Sequence, residues 1–373
     1  MGKHLVIVGG GHAHLKVLKN LNTFKTMGND VTVVSANAFH YYSGMGPGLL
    51  SGIYRPQEVR FNIRKMVEDR GGIFIENKAV KIDPEKKQIY LQTGDRLEYD
   101  VASFNTGSFV PLGSLAKSDD SVVPMKPIKN LLNARQIITE GLKKKKLYIT
   151  VAGGGPAGVE ISGNIRRLIE DKKGKAEIHL VAGSRLLHDY DEKVRSLALK
   201  SLKMRNIHVM EGVKVTSVNQ GIAELSDGFI LESDFVFWAT GVKPSPIFEA
   251  SGLPIGKDGG LLVNEHLQCV SFPEIFGGGD CISFKPRPLA KVGVYAVRQN
   301  PILLFNLSAA LKGDAYRKFI PQKSFMLIFN MGDGTGIVFK KSWIWKGRLA
   351  FTLKNYIDNS FMKKFQVSGE RDE

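Results

Sequence analysis

The sequence predicts an α/β protein with two parallel-sheet units and a small C-terminal appendage, on three observations. An apolar β-branched run followed by three glycines and a helical pattern occurs twice, at Leu5–Gly11 and again at Leu147–Gly155. A second strand-like run follows each copy, Asp30–Ser35 and Ala176–Val181. Each copy is closed downstream by an acidic residue, an apolar run and a Thr-Gly turn, Asp100–Gly107 and Asp234–Gly241. The switch from two-residue to helical periodicity and back is the pattern of βαβ units.

The chain of 373 residues has room for two or three domains, and its 43% hydrophobic and 24% charged residues can build a packed core, which excludes a disordered chain. Glycine is enriched at 40 residues, mostly in clusters where backbone can approach a ligand closely. Lys and Arg number 52 against 36 Asp and Glu, a net charge of +16 that favours an anionic partner without naming it. Two cysteines, Cys269 and Cys281, are too few for a disulfide framework and suit a reducing compartment, so a cytoplasmic location is expected. The apolar run at Leu5–Val8 is too short for a signal peptide, and no run reaches the ~18 residues of a spanning helix, so membrane contact would be peripheral.

The first glycine run is Gly9-Gly10-Gly11-His12-Ala13-His14 and the second is Gly153-Gly154-Gly155-Pro156-Ala157-Gly158. Each follows a strand and opens a helix, so its backbone N–H groups and the helix dipole would face a pyrophosphate. The second is a complete G-x-G-x-x-G, whereas the first puts His14 at the third small position. Both units are therefore read as Rossmann-like and dinucleotide-binding. A late run, Pro273–Asp280, is a short strand ending in glycines and one carboxylate, suited to a ribitol hydroxyl or to an ordinary turn. The acid expected about 20 residues beyond each turn is missing. Ser35 stands there in the first unit; in the second, Arg185 either attracts a 2′-phosphate or is a solvated surface charge.

In this order the motifs resemble the two-dinucleotide-binding-domain flavoproteins of the glutathione-reductase-like superfamily, over residues 1 to about 320. The resemblance implies an NAD(P)H-binding domain at 116–245 inserted in an FAD-binding domain at 1–115 and 246–320, with a C-terminal β-hairpin and amphipathic helix at 321–373. It implies that Gly9, Gly11, His12, Ala13, Ser35, Pro47, Val80, Thr106, Gly107, Gly279 and Asp280 bind FAD. Gly153, Gly155, Gly158, Arg185 and Gly241 would bind the nicotinamide dinucleotide, with Glu160 beside the nicotinamide.

No Cys-x4-Cys pair occurs near Tyr41–Gly52, which excludes a disulfide reductase and makes the chain similar to the type II NADH dehydrogenase and sulfide:quinone oxidoreductase branch. More narrowly, His12-Ala13-His14, Tyr42–Met45, Gly293–Gln299 and Asn330–Gly334 resemble the flavoprotein module found fused to selenide, water dikinase. Sulfide oxidation in that branch needs a flavin-bridging cysteine pair, and residues 1–268 hold no cysteine.

The resemblance implies an FAD-dependent oxidoreductase that takes hydride from NADH or NADPH and passes electrons to a quinone-like acceptor, with no metal and no nucleic acid. Lys291, Tyr295 and Gln299 recur at i, i+4 and i+8 and would share a helix face beside the flavin, with Gln299 alone where relatives carry two glutamines. Alternatives are a flavoprotein acting on sulfur or selenium species and a redox sensor without NAD(P)H turnover. From Lys340 to Lys364 seven Lys or Arg and one acid interleave with aromatics, and Leu349, Leu353, Tyr356, Ile357, Phe361 and Phe365 follow helical spacing. That stripe would lie on an anionic membrane at its cytoplasmic face, on the protein's own flavin unit, or on a second subunit in a homodimer.

Overall fold

The computed structural model describes residues 2–112 and 121–371. The expected boundary at 115/116 lies outside them. Two five-stranded, all-parallel sheets form its centre. The first runs Ile275–Gly277, Val101–Phe104, His4–Val8, Asp30–Ser35, Ile73–Glu76, and the second Val122–Pro124, Phe235–Trp238, Leu147–Ala152, Ala176–Ala182, Ile207–Glu211. Parallel strands are covered on both faces, which is why these segments read as nearly continuous apolar runs.

The two sheets repeat one set of contacts. Asp100 Oδ2 accepts from the His4 backbone N–H at 2.6 Å and Asp234 Oδ2 accepts from that of Tyr148 at 2.8 Å, so each closing acid caps the start of its central strand. At the other end Gly9 N–H donates to Val34 O at 2.8 Å, and Gly153 N–H donates to Val181 O at the same distance. Each turn residue has positive φ, +91° at Gly9 and +130° at Gly153, where a non-glycine side chain is strained. A Cβ at either would also stand 2.3 Å from a carbonyl oxygen of the neighbouring strand's exit, Asn105 or Ala239.

The helices that follow differ. In the second unit Pro156–Asp171 is a 16-residue helix, and a Cβ at Gly158 would lie 1.8 Å from the Gly153 carbonyl oxygen, so the third glycine is a packing requirement. In the first unit the helix over Leu15–Lys19 has five residues and starts only after a turn at 12–14. His14 fills the third position fully buried, donating Nδ1–H to Gly9 O at 2.7 Å while Nε2 accepts from the Ser103 hydroxyl at 2.8 Å. A hydrogen-bonded imidazole thus occupies the contact that close packing makes in the other unit. Burial pulls its pKa down to about 4, so it stays neutral.

The C-terminal region corrects two expectations. The hairpin has a third strand: Leu327–Asn330, Gly336–Lys340 and Trp343–Gly347 form an antiparallel sheet, and Trp343 and Trp345 belong to it, not to the helix. The helix spans Arg348–Phe365, but its buried face is Ala350, Lys354, Asp358, Met362 and Phe365. The predicted stripe is split, with Phe361 and Phe365 turned inward and Leu349 and Tyr356 left 76% and 72% exposed. Lys354 and Asp358 enter the interior because they do so as a pair, Nζ to Oδ2 at 2.6 Å.

This region ties the units together. Phe329 and Ile337 of the small sheet, with Met331 just past its first strand, join the second unit's core, whereas Met362 and Phe365 of the helix join the first unit's. The helix Gly46–Ser51 adds a second tie, Ser51 Oγ donating to Asn164 Oδ1 at 2.8 Å. Gly158→Ala is expected to destabilise the protein by about 1–3 kcal/mol through overpacking, with a matching fall in denaturation midpoint. An unchanged midpoint would contradict the close-packing role.

Candidate active site at the junction of the two units

The first glycine turn is a cradle of backbone and buried polar groups. Asn105, which the sequence reading did not single out, lies beneath it; a Cβ on Gly11 would stand 2.7 Å from its side chain and one on Gly279 2.6 Å from its Oδ1. Its Nδ2 is buried and has no hydrogen-bond partner among the described residues, and the same holds for His12 Nε2. Two unpartnered donor-capable atoms beside a glycine turn fit a pyrophosphate-bearing ligand, since each costs stability while unmet. Ala13 is buried and packs against Gly278, while Thr106 and Gly107 edge the turn, with open space where a Gly107 side chain would go.

Asp280 closes the cradle. Its Oδ2 accepts from Ser108 Oγ at 2.8 Å and from Lys126 Nζ at 2.7 Å. Burial works to raise the carboxyl, but Lys126 outweighs it and holds Asp280 below the ordinary aspartate value, ionised at neutral pH. Lys126 and Ser108 were not anticipated, because the ion pair spans more than 150 residues of chain and no local motif encodes it.

The remaining residues expected on the FAD side, Ser35, Val80 and Pro47, do not come together. Ser35 pairs in register with Glu76 and bonds its hydroxyl to Asn37 O. A 360 Å³ cleft beside them is lined by Ala36, Glu76, Asn77, Lys78, Gln92 and Thr93. Glu76, ion-paired with Arg64 at 2.6 Å, is the carboxylate opposite Ser35, a juxtaposition across strands that sequence spacing cannot show. Val80 is exposed and is not among the cleft's lining residues. Pro47 is buried at the start of the Gly46–Ser51 helix.

Lys291, Tyr295 and Gln299 do converge, on a small pocket with Gly279 and Asp280. The expected common helix face is corrected, because the helix begins at Gly293 and Lys291 precedes it. Lys291 Nζ is engaged by Asp258 at 2.7 Å and by Ile282 O at 2.6 Å. Gln299, 1% exposed, accepts from Gly279 N–H at 2.6 Å through Oε1 and so holds the Gly279–Asp280 turn.

In the second unit Gly155 caps the Pro156–Asp171 helix with open space at its Cβ direction, and Gly241 has φ +111° with open space around it. Such a long helix offers unpaired N–H groups to an anionic dinucleotide. Arg185 is 63% exposed at its side chain and paired with Glu192 at 2.8 Å.

Glu160, one turn into that helix, faces inward. Its Oε1 accepts from Asn330 N–H of the small sheet at 2.7 Å. Burial, opposed by Lys354 and the Asn330 bond, pushes its pKa up to about 7. Beside it Lys354 Nζ donates to Gly44 O at 2.7 Å, and Tyr42 donates its hydroxyl to Asp358 at 3.2 Å. Burial first, then Asp358, drives the Tyr42 phenol well above its ordinary value. One polar layer therefore joins the second unit's helix, the C-terminal helix and the segment after the first sheet's second strand.

Residues 3–299 match the profile of the pyridine nucleotide-disulphide oxidoreductase family. The chain belongs to that family. Within it, the chain is similar to ferroptosis suppressor protein 1 of Taeniopygia guttata, 26% identical over 382 residues and spanning 98% of this chain and 96% of that one. It is likewise similar to the type II NADH:quinone oxidoreductase of Staphylococcus aureus, 23% identical with 98% and 96% spanned. NDH2 from Plasmodium falciparum in complex with NADH shares the family fold with a TM-score of 0.81, 15% identity and 99% and 98% of the two chains covered. The sulfide:quinone oxidoreductase of Aquifex aeolicus gives 0.80, at 17% identity over 98% and 92%.

Because the folded pKa of Glu160 lies above that of an unfolded glutamate, its protonated form favours the fold. That contribution is present below about 4.5 and is lost as pH rises through about 7. Glu160→Gln is expected to raise the denaturation midpoint at pH 8 relative to wild type and to leave it unaltered at pH 4. Equal midpoints at pH 8 would show that Glu160 is not held in a desolvating site.

Proposed function

We propose that the protein is an FAD-dependent oxidoreductase that takes hydride from NAD(P)H and passes electrons to a quinone. The observation that carries this reading is the doubled glycine turn, one per parallel sheet, with Glu160 and the Asp280–Lys126 pair at the junction between them. Relatives named type II NADH:quinone oxidoreductase and external alternative NAD(P)H-ubiquinone oxidoreductase support the donor and the acceptor. Flavin, when bound, supplies the hydride and electron chemistry. The chain's own residues bind and orient. Gly9, Gly11 and Asn105 would receive the FAD pyrophosphate, Asp280 its ribityl chain, and Gly153, Gly155 and Gly158 the nicotinamide dinucleotide.

A sulfur or selenium chemistry is less well supported. Cys269 and Cys281 are both buried, and burial raises each thiol, so neither presents a thiolate. Mixed anaerobically with NADH or NADPH, the purified yellow protein is expected to lose its flavin absorbance rapidly with one of them and to regain it with a water-soluble quinone. No loss with either nucleotide would remove the dehydrogenase reading and return attention to the redox-sensor alternative.

The acceptor is met at a membrane surface. No helix among the described residues is long and apolar enough to cross a bilayer. Trp343, Leu349, Tyr356 and Ile357 are exposed on the C-terminal sheet and helix among Lys340, Lys341, Arg348, Lys363 and Lys364, the pairing of aromatic and basic side chains that suits an anionic interface such as the cytoplasmic leaflet. Phosphatidylserine vesicles are expected to sediment the protein, phosphatidylcholine vesicles to leave it in solution, and Trp343→Ala with Leu349→Glu to cut the bound fraction about tenfold. A dimer by analytical ultracentrifugation, with no vesicle binding, would assign this face to a second subunit instead.

A further inference from the structure

We propose that the second unit selects NADPH over NADH, with the 2′-phosphate seated over Gly183 between Arg185 and Lys214 and with Ser184 supplying a hydroxyl. The inference rests on the dinucleotide-binding reading of the second glycine turn given above and names which nucleotide that turn receives. The two nucleotides differ at the adenosine ribose. A carboxylate at the end of the strand after the glycine helix accepts from a free 2′-hydroxyl, whereas cations there receive a 2′-phosphate. Comparing the two units locates that position. Gly9 N–H donates to Val34 O and Gly153 N–H donates to Val181 O, so Ala182 is the counterpart of Ser35. Ala182 ends its strand and is buried, and a Cβ on Gly154 would stand 2.5 Å from its methyl carbon, so its side chain faces the turn. A methyl group there neither accepts from a 2′-hydroxyl nor repels a phosphate.

The carboxylate in register with Ala182 on the next strand is Glu211, and it is tied down. Arg195 holds both of its oxygens, at 2.9 and 2.8 Å, and Oε1 also accepts from the Leu186 backbone N–H. These bonds shape the loop that follows the strand. That loop is fastened to the glycine turn by Leu187 N–H, which donates to Gly154 O at 2.8 Å, and to the neighbouring strand's exit by Val213 N–H, which donates to Ala182 O at 3.2 Å. Its position beside the dinucleotide turn is therefore set by backbone.

On the loop, a Cβ at Gly183 would stand 2.8 Å from Lys214 Cγ and 3.0 Å from its Cε, so the Lys214 stem lies against the Gly183 backbone and brings its ammonium beside the ribose position. Lys214 is exposed, and its Nζ makes no ion pair or hydrogen bond among the described residues. Ser184 and Arg185 are exposed next to it. Arg185 pairs with Glu192 at 2.8 Å, but both side chains are more than 60% exposed, and water-exposed ion pairs of this kind yield readily to a doubly charged phosphate. Glu192 then keeps Arg195 as its partner, at 3.0 Å. Three cations, Arg185, Arg195 and Lys214, stand against two carboxylates, Glu192 and Glu211, and the unmatched one is Lys214 over Gly183.

The test uses the flavin-loaded full chain and reads binding apart from turnover. In calorimetry, adenosine 2′,5′-bisphosphate is expected to bind about 100-fold more tightly than 5′-AMP, and more tightly than adenosine 3′,5′-bisphosphate, which carries the same charge at the wrong hydroxyl. Arg185→Ala and Lys214→Ala are each expected to cut that preference about tenfold, and Lys214→Arg to retain it. Gly183→Glu, for which the flexible Lys214 stem can move aside, is expected to turn the preference toward 5′-AMP. Equal affinity of the wild type for the two bisphosphates, or a preference unchanged in both alanine variants, would overturn the proposal. Stopped-flow reduction separates it from the reading on which it rests. If neither nucleotide reduces the flavin while the 2′,5′-bisphosphate preference persists, the dehydrogenase reading falls and the NADPH site stands. If NADH reduces the flavin at lower concentration than NADPH does, the NADPH site falls and the dehydrogenase reading stands.

Discussion

At the turn that follows the central strand of each sheet, a carbonyl oxygen stands where a side chain would have to begin. Asn105 O faces Gly9 and Ala239 O faces Gly153, each 2.3 Å from the Cβ direction, and both glycines have positive φ. The constraint draws the exit of one strand against the turn of its neighbour, and the rest of each unit follows from it. Strand exits align at one sheet edge, the turn's N–H groups point outward, and a dinucleotide's phosphates can approach backbone. The third position shows that the constraint can be met in two ways. Gly158 meets it by having no side chain, and His14 meets it by bonding to the very carbonyl that a methyl group would strike.

The two units have separate cores, and they are tied by the C-terminal region, whose sheet enters one and whose helix enters the other, and by the Gly46–Ser51 helix, which places Leu49 in one and Leu50 in the other. The contact between them is polar where the chemistry is expected. Burying Lys354 and Asp358 costs desolvation that a close ion pair only partly offsets, so an apolar pair could pack there at no greater cost. The polar pair fixes geometry instead, because Lys354 also grips Gly44 O and Asp358 also receives Tyr42. Together with the Asn330–Glu160 bond, these contacts bring the second unit's helix, the C-terminal helix and the His12 cluster into one layer. The burial that shapes this layer also raises Glu160 and Tyr42 and lowers His12 and His40, so the phenol and both imidazoles are neutral at pH 7 while Glu160 is poised between its two forms beside the Lys354–Asp358 ion pair.

Much of this was legible in the sequence. Strand–glycine–helix grammar, closing acids and Thr-Gly turns are local patterns whose meaning comes from backbone sterics, and both sheets and both turns sit where those patterns put them. Helical spacing at Leu349–Phe365 was enough to place a helix but not to orient it, because periodicity counts Lys354 and Asp358 as surface charges and cannot know that they meet in the interior. Likewise, the i, i+4, i+8 spacing of Lys291, Tyr295 and Gln299 says nothing of where the helix begins.

The sequence by itself determined the α/β class, the two glycine turns and the lack of a redox cysteine pair, since each depends on residues within one turn or strand of each other or on composition. Only the tertiary structure decided the partners of Asp280, the placement of Glu76 opposite Ser35, the contact of His12 with His40 and the inward face of the C-terminal helix. Most of these pair side chains far apart along the chain. Their energies come from burial and from distances of about 3–4 Å that exist only once the two units and the C-terminal region have closed on one another.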